Sequence, residues 1–184
     1  MKQIKHQLQK KEYYTPTWGI NYLFVGTFNP EGGELVNYYY GRPKNQFWKL
    51  LSIIFNDDFN PNSPDFFKKI KKHKIGCIDM IAEIEAPENK VASITGEGYS
   101  DSKIINTCVT RTYNTSEILK IIASNPNIKI FSTWGKGPKL KEWRNEIQKT
   151  ENIIPLVSPS MAAKVASGVK KFDYMLKNWT NKIK

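Results

Sequence analysis

Residues 22–51 carry the pattern that decides the fold, and they read YLFVGTFNPEGGELVNYYYGRPKNQFWKLL. The apolar run at 22–25 predicts a short buried strand that ends at Gly26, and apolar residues at helical spacing predict an amphipathic helix over 46–55. The loop between them is longer than most connections in compact domains, and such loops are usually functional or disordered. This loop is rich in aromatic and amide side chains, which argues against disorder.

Strands and helices are predicted to alternate along the rest of the chain. Further strands are predicted over 75–81, 128–132 and 153–157, further helices over 65–73, 114–124, 140–147 and 163–179, and a long loop over 86–102. Strands that alternate with helices form a parallel sheet covered on both faces. The expected fold class is therefore α/β, a three-layer α/β/α sandwich with a central, mainly parallel four-stranded sheet.

Length and composition favour one globular domain that spans 1–184, with a basic surface lead-in at 1–19. The formal net charge of +11 favours a polyanionic partner, either nucleic acid or an anionic membrane surface. A Lys-, Asn- and Ile-rich composition without functional meaning is the alternative explanation of that charge. No apolar run approaches the roughly 18 residues of a membrane span, so no membrane-spanning segment is expected. A sequence pI near 9.5 is typical of a nucleic-acid-binding protein, and we expect DNA and no membrane as the partner.

Several chemistries are excluded by the residues that the chain lacks. Cys77 and Cys108 are too few for a zinc cluster and fit a reducing, cytoplasmic setting. The N-terminal residues lack the apolar segment of a signal peptide. His6 and His73 are each predicted to lie on the surface, so the sequence offers no histidine for a serine-type triad. We therefore expect a site without a metal or cofactor.

Polar motifs directly follow three of the predicted strands, in the loop after Gly26, at 133–136 and at 158–163. Because the carboxyl ends of parallel strands meet at one edge of an open sheet, we expect these motifs to form a common site. Their amides, hydroxyls and aromatic rings suit a flat polar ligand, which is held by stacking and by hydrogen bonds to its edge. A nucleobase extruded from DNA is such a ligand.

Three sequence blocks, in this order, resemble the uracil-DNA glycosylase superfamily, especially its mismatch-specific uracil and hypoxanthine-DNA glycosylase branches. The first is GTFNP at 26–30 followed by YYGRPKNQFW at 39–48. FSTWGK at 131–136 resembles the later Trp-Gly motif at a strand end, and VSPSMAA at 157–163 resembles the second signature loop. The blocks span most of the chain, and the Pro-x-Asn-x-Phe-Trp segment is the most specific of them.

The resemblance implies a monofunctional DNA glycosylase, which flips a deaminated base, uracil or hypoxanthine, from DNA and hydrolyses its N-glycosidic bond in base-excision repair. The reaction forms an oxocarbenium-like sugar and an anionic base, so it needs a positioned water and donors aimed at the departing base. It needs neither a cofactor nor a strong nucleophile. A monomer that acts on DNA with a deaminated or mismatched base is expected.

Two asparagines compete for the catalytic role that the resemblance implies. Asn29 matches the position that holds or activates the water, but the family usually has one residue between the glycine and this position, whereas Thr27 and Phe28 both intervene here. Hypoxanthine-type members use instead the asparagine of the Pro-x-Asn-x-Phe-Trp block, which is Asn45. Each amide is alternatively a group that only ties the loop together, and Glu31 is the nearby carboxylate alternative.

The resemblance also assigns binding roles. The residues expected to bind the substrate base are Gly26, Thr27, Phe28, Tyr40 and Ser158. The residues expected to contact DNA are Arg42, Lys44, Ser160, Met161, Ala162 and Lys164. Tyr40 matches the ring that stacks on the base, with core packing as the alternative, and Ser158 replaces a histidine or asparagine of the relatives. Met161 or Ala162 matches the wedge that fills the gap in the duplex, with inward packing as the alternative for Met161. Trp134 is expected in the core.

Two other functions remain open at the level of the sequence. One is a non-catalytic nucleic-acid-binding module on the same fold, because Ser158 and the irregular first motif weaken the match. The other is an enzyme that acts on a small nucleotide-like molecule at the same strand edge. Release of a free base from DNA separates the glycosylase from both.

Overall fold

The structure is a computed structural model that describes residues 1–96, 100–108, 110–134, 145–146, 153–165 and 167–184. The strands in these ranges are β1 (Lys2–Lys5), β2 (Tyr22–Gly26), β3 (Ile75–Asp79), β4 (Ile81–Ala86), β5 (Thr110–Tyr113), β6 (Lys129–Ser132) and β7 (Ile153–Pro155). The helices in these ranges are α1 (Phe47–Phe55), α2 (Phe66–Lys72), α3 (Val91–Thr95), α4 (Asp101–Thr107), α5 (Thr115–Ser124) and α6 (Lys171–Ile183). None of these helices is long and apolar enough to cross a membrane.

Four strands form a parallel central sheet in the order β3–β2–β6–β7. This confirms the predicted four-stranded sheet of an α/β fold. β2 lies inside the sheet, where Val25 pairs with Ile78 on one side and with Ser132 on the other. The loop after β2 therefore starts in the middle of the carboxyl edge, between the ends of β3 and β6.

Alternating side chains of β2 separate two hydrophobic layers. Phe24 faces α1, α2 and α6 and stacks on Phe131 and Trp179, with ring centroids 5.1 and 5.9 Å apart. Leu23 and Val25 face the opposite way, into a cluster shared with α3, α4 and α5. Helices thus cover both faces of the sheet, which is the predicted three-layer arrangement.

The N-terminal segment is not the surface lead-in that the sequence predicted for residues 1–19. β1 pairs antiparallel with β4, and β4 pairs antiparallel with β5, so these strands form a second sheet. Ile4, His6 and Leu8 are buried, and the prediction of a surface position for His6 was wrong. The physical reason is the two-residue period of an extended chain, which turns Ile4 and His6 to the same, inward face. Leu8 is buried in the turn that follows.

The single strand predicted over 75–81 is two strands. β3 ends at Asp79, and after Met80 the chain continues as β4, which belongs to the second sheet. Asp79 is therefore the last residue of β3 and pairs with Gly26 at the carboxyl edge of the central sheet. This placement moves a carboxylate from the predicted interior of a strand to the edge where the motif loops begin.

Two further boundaries differ from the prediction. The loop predicted over 86–102 contains α3 and the first residues of α4. The helix predicted over 163–179 begins only at Lys171, after Gly168 takes a φ of +80°. Such a left-handed conformation is open to glycine and does not continue a helix. Most of the helix predicted over 140–147 lies outside the described residues.

Candidate functional site

A cleft of about 1560 Å³ is bordered by the loops at the carboxyl edge of the central sheet. Its walls come from the loop after β2, the ends of β3 and β6, the segment after β7 and the start of α4. The motif residues on these walls are Thr27, Phe28, Asn29, Tyr40, Arg42, Lys44, Asn45, Thr133, Trp134, Ser158, Ser160, Met161, Ala162 and Lys164. The predicted meeting of the motifs at one site is confirmed, while Gly135 and Lys136 lie outside the described residues.

Asn29 and Asp79 both line the cleft, and their side chains are hydrogen-bonded to each other. The side-chain Nδ2 of Asn29 donates a hydrogen bond of 2.8 Å to Oδ2 of Asp79. Asp79 is buried, with only 2% of its surface exposed. An ionised carboxylate accepts but cannot donate, so the bond fixes which end of the amide faces Asp79. The carbonyl oxygen of Asn29 consequently points away from the carboxylate and is available as an acceptor.

His6 forms the second contact of Asp79. Its Nε2 lies 2.8 Å from Asp79 Oδ2, and its Nδ1 accepts a hydrogen bond of 3.1 Å from the backbone N–H of Leu8. Because Nδ1 is an acceptor, the ring proton is on Nε2 and is donated to the carboxylate. Only 1% of His6 is exposed, and the rings of Tyr14 and Phe28 pack around it at centroid distances of 5.3 and 5.7 Å.

Sequence reasoning missed both Asp79 and His6 as members of the site. A signal for His6 was present in the alternation of Ile4, His6 and Leu8, which places a histidine on a buried face. The signal for Asp79 was its position after the apolar run at 75–78, which is the same position that Gly26 has after the apolar run at 22–25. Both residues reach the site through pairing between distant segments.

Asn45 lines the same cleft but uses its amide in the opposite sense. Its Oδ1 accepts a hydrogen bond of 2.9 Å from the backbone N–H of Phe47 at the start of α1. Its backbone forms an antiparallel bridge with Ser160, and the adjacent Gln46 N–H donates to the carbonyl of Pro159 at 3.0 Å. The carbonyl end of Asn45 is thus committed to the helix start, and its Nδ2 is the end available as a donor.

Tyr40 lines the cleft, and its hydroxyl lies close to Gly26 at the end of β2. Its ring stacks on Phe47 with centroids 3.8 Å apart and planes 4° apart, and its hydroxyl lies 3.1 Å from Oγ1 of Thr133. Burial raises the pKa of the Tyr40 hydroxyl well above its ordinary value, so the group stays protonated. A Cβ on Gly26 would lie 2.1 Å from Oδ1 of Asp79, which explains the glycine at this position. Core packing therefore accounts for one face of Tyr40.

The loop after β7 is stabilised by its own serines. The hydroxyl of Ser158 accepts from the N–H of Ser160 at 3.3 Å, and the hydroxyl of Ser160 accepts from the N–H of Ala162 at 3.2 Å. Met161, which follows Ser160, is 49% exposed at the cleft, and this exposure excludes the alternative that it packs inward. Lys171 of α6 donates to the Met161 carbonyl at 2.6 Å and supports this exposed position.

The remaining predicted residues occupy the walls and the rim. Lys44 and Lys164 are exposed cations at the cleft. Thr27 donates from its hydroxyl to Oδ1 of Asp101 at 2.9 Å, which connects the first motif to α4. Phe28 is buried against His6, and Trp134, as predicted, belongs to the core. Most of the predicted site residues therefore meet at one cleft, whereas Gly26 is packed behind it.

Comparison with curated proteins shows a similarity to a DNA glycosylase. No protein-family model matches the chain. A hypoxanthine DNA glycosylase from Methanosarcina barkeri (strain Fusaro) is 28% identical over 126 residues, which cover 67% of this chain and 71% of the relative.

The solved structures give a match of the whole fold. The solution NMR structure of a Methanosarcina acetivorans protein, provisionally assigned as a uracil DNA glycosylase, superimposes with a TM-score of 0.58 and 15% identity, covering 90% of this chain and 92% of the other. At this identity the match shows the fold alone. The curated relative supports the resemblance to the hypoxanthine-DNA glycosylase branch of the uracil-DNA glycosylase superfamily, and the solved structure confirms the fold.

Proposed function

We propose that this protein is a DNA glycosylase that removes a deaminated base, uracil or hypoxanthine, by hydrolysing its N-glycosidic bond. The observation that carries the proposal is the opposite orientation of two amides at one cleft. Asn29 commits its NH₂ group to Asp79, and Asn45 commits its carbonyl oxygen to the N–H of Phe47. The cleft is thus offered one acceptor and one donor, which are the two groups that hydrolysis of a nucleoside bond requires.

Asn29 supplies the acceptor. As the N-glycosidic bond breaks, the sugar becomes electron-poor and is attacked by water. The Asn29 carbonyl oxygen accepts a hydrogen bond from that water and directs its lone pair at the sugar carbon. The amide is too weak a base to remove a proton in the ground state, so its contribution is orientation and a partial stabilisation of the positive charge that forms.

Asn45 supplies the donor. Negative charge develops on the departing base, and a fixed N–H group that points at this charge stabilises the transition state more than the ground state. Tyr40 lines the same cleft, and one face of its ring is covered by Phe47. The Ser158 hydroxyl is already an acceptor for the N–H of Ser160, and its proton remains available to the base.

The charge distribution supports DNA as the polymer that carries the base. The chain has a formal net charge of +11, and Lys44 and Lys164 are exposed on the motif loops around the cleft. Cations at these positions are suited to the phosphates that flank a flipped nucleotide. Met161, which is exposed at the same cleft, is suited to fill the space that the base leaves in the stack.

The experiment is a panel of duplexes that carry uracil, hypoxanthine, xanthine or a normal mismatch, scored for free base and for abasic sites. The proposal predicts release from uracil or hypoxanthine duplexes and not from an undamaged duplex. Asn181→Ala, a substitution of an exposed asparagine in α6 that lines no wall of the cleft, is the matched control and is expected to keep full activity. Salt-sensitive DNA binding without base release would point instead to a binding module.

A further inference from the structure

The N-terminal segment at 5–8 is hydrogen-bonded to the first motif loop at 29–31. The backbone N–H of Gln7 donates to the backbone carbonyl of Asn29 at 2.8 Å, and the backbone N–H of Glu31 donates to the backbone carbonyl of Lys5 at 2.8 Å. On the other side of this segment, the backbone N–H of His6 donates to the backbone carbonyl of Ala82 at 2.9 Å. The backbone around Asn29 therefore pairs with the N-terminal segment, and this segment pairs in turn with β4.

The side chains in this contact form hydrogen bonds whose direction is fixed. The N–H of Leu8 donates to His6 Nδ1, His6 Nε2 donates to Asp79, and Asn29 Nδ2 donates to the same carboxylate oxygen. Each step leaves one choice of proton position, because a backbone N–H only donates and a carboxylate only accepts. The end of this series is the side-chain carbonyl oxygen of Asn29, a residue that lines the cleft.

A hydrogen-bonded pair that contains a buried carboxylate is a costly way to hold a loop. Removing a carboxylate from water has a large penalty that hydrogen bonds offset only in part. The site keeps Asp79 and His6 almost fully buried, although apolar side chains would stabilise such a contact as well. Directional control of the Asn29 amide is a result that apolar packing does not provide.

We propose that Asp79 and His6 are positioning residues, which hold the Asn29 amide with its carbonyl oxygen toward the attacking water. This inference rests on the proposed glycosylase function and assigns a role to two residues outside the recognised motifs. Neither residue is placed in contact with the reacting atoms. Without the carboxylate, the amide of Asn29 is free to rotate and to present its NH₂ group, which cannot accept from water.

The test compares single-turnover base release and lesion-duplex affinity for Asp79→Ala, Asp79→Asn, His6→Ala and His6→Gln. We expect Asp79→Ala and His6→Ala to slow release at least tenfold, with lesion affinity within about threefold of wild type. Asp79→Asn and His6→Gln are expected to recover part of the loss, because Asn still offers an acceptor oxygen and Gln still offers an N–H donor. A merely structural role predicts equal losses of rate and affinity and no recovery.

The chain offers a matched control in a second histidine–aspartate pair. His73 Nε2 lies 2.9 Å from Asp57 Oδ2, and neither residue lines the cleft. His73→Ala is expected to leave base release unchanged. An active wild type that Asp79→Ala does not slow would overturn the positioning role alone, whereas a wild type that releases no base from any duplex would overturn the proposed function.

A measurement on the free protein reports the geometry without activity. The ¹⁵N shifts of the His6 ring are expected to show a proton on Nε2 and none on Nδ1, and the side-chain NH₂ signal of Asn29 is expected to shift in Asp79→Ala but not in His73→Ala. A His6 ring protonated on Nδ1, or an unaltered Asn29 signal in Asp79→Ala, would contradict the hydrogen-bond series itself.

Discussion

Nδ2 of Asn29 lies 2.8 Å from Oδ2 of Asp79, so the first motif loop is fixed to the end of the neighbouring strand by a hydrogen bond to a buried carboxylate. This contact distinguishes Asn29 from an amide that only fills space in a loop. It also makes the neighbouring Gly26 a sensitive position, since Asp79 Oδ1 and the Tyr40 hydroxyl both crowd its Cα.

Gly26→Ala is expected to destabilise the protein. The added Cβ would lie 2.1 Å from Asp79 Oδ1 and 2.8 Å from the Tyr40 hydroxyl oxygen, and both side chains are anchored. Overpacking of this kind costs roughly 1–3 kcal/mol, which thermal unfolding detects. Gly19→Ala is the control, because a Cβ there meets nothing within 4 Å. Equal melting temperatures for the two variants would contradict the packing described at Gly26.

Asn45→Asp separates the two functions of the Asn45 amide. The aspartate keeps an oxygen for the N–H of Phe47, so stability is expected to stay near wild type, but the donor for the departing base is lost and a negative charge replaces it. Single-turnover base release should fall by about 100-fold. Asn45→Ala should also lower the free energy of unfolding, by about 1 kcal/mol, through loss of the bond to Phe47. An Asn45→Asp variant with full activity would remove Asn45 from the reaction.

Met161→Ala is expected to weaken binding of a lesion duplex by about tenfold and binding of a lesion in single-stranded DNA far less, since only the duplex has a gap to fill. Fluorescence anisotropy with the two DNAs measures the difference. Leu119→Ala, at a similarly exposed leucine of α5, is the control. Equal losses on both DNAs would show that Met161 contacts DNA without entering the stack.

The acid side of the stability curve is expected to depend on Asp57. Its hydrogen bond with His73, followed by that with Lys72, lowers the pKa of the Asp57 carboxyl to about 2 from an ordinary 3.8. A carboxyl whose pKa is lowered by folding stabilises the protein above its unfolded pKa, and this stabilisation is lost as the pH falls toward the folded pKa. Between about pH 4 and 2, melting temperatures should fall less steeply for Asp57→Asn than for wild type. Parallel curves would exclude this contribution.

The layers and the meeting of the motifs were predictable because they follow from local patterns. Apolar runs fixed which residues lie in strands, and strands separated by helices leave a parallel sheet as the solution. Once Gly26, Thr133 and Ser158 were each placed after a strand, the common edge followed from topology alone. The motifs that line the cleft could therefore be located from their position after the strands, whereas the roles of single residues in those motifs came from the family resemblance.

The support beneath the loop was not predictable, because it depends on pairing between distant segments. His6 and Asp79 are 73 residues apart in the chain, and no local pattern links them. The basic residues on either side of Ile4 and His6 also gave this segment the composition of an exposed chain, so β1 and its buried face were not predicted. The split of 75–81 into two strands depends on the second sheet, which the sequence prediction did not contain.

The role of Asn29 in the reaction is measured by single-turnover release of free base from a uracil or hypoxanthine duplex, with wild type and Asn29→Ala compared side by side. We expect wild type to release the base and Asn29→Ala to be slower by about 100-fold with lesion affinity nearly unchanged, while Glu31→Gln, at an exposed carboxylate of the same loop, keeps the wild-type rate. An active wild type whose rate is abolished by Glu31→Gln and is unaffected by Asn29→Ala would contradict this role of Asn29.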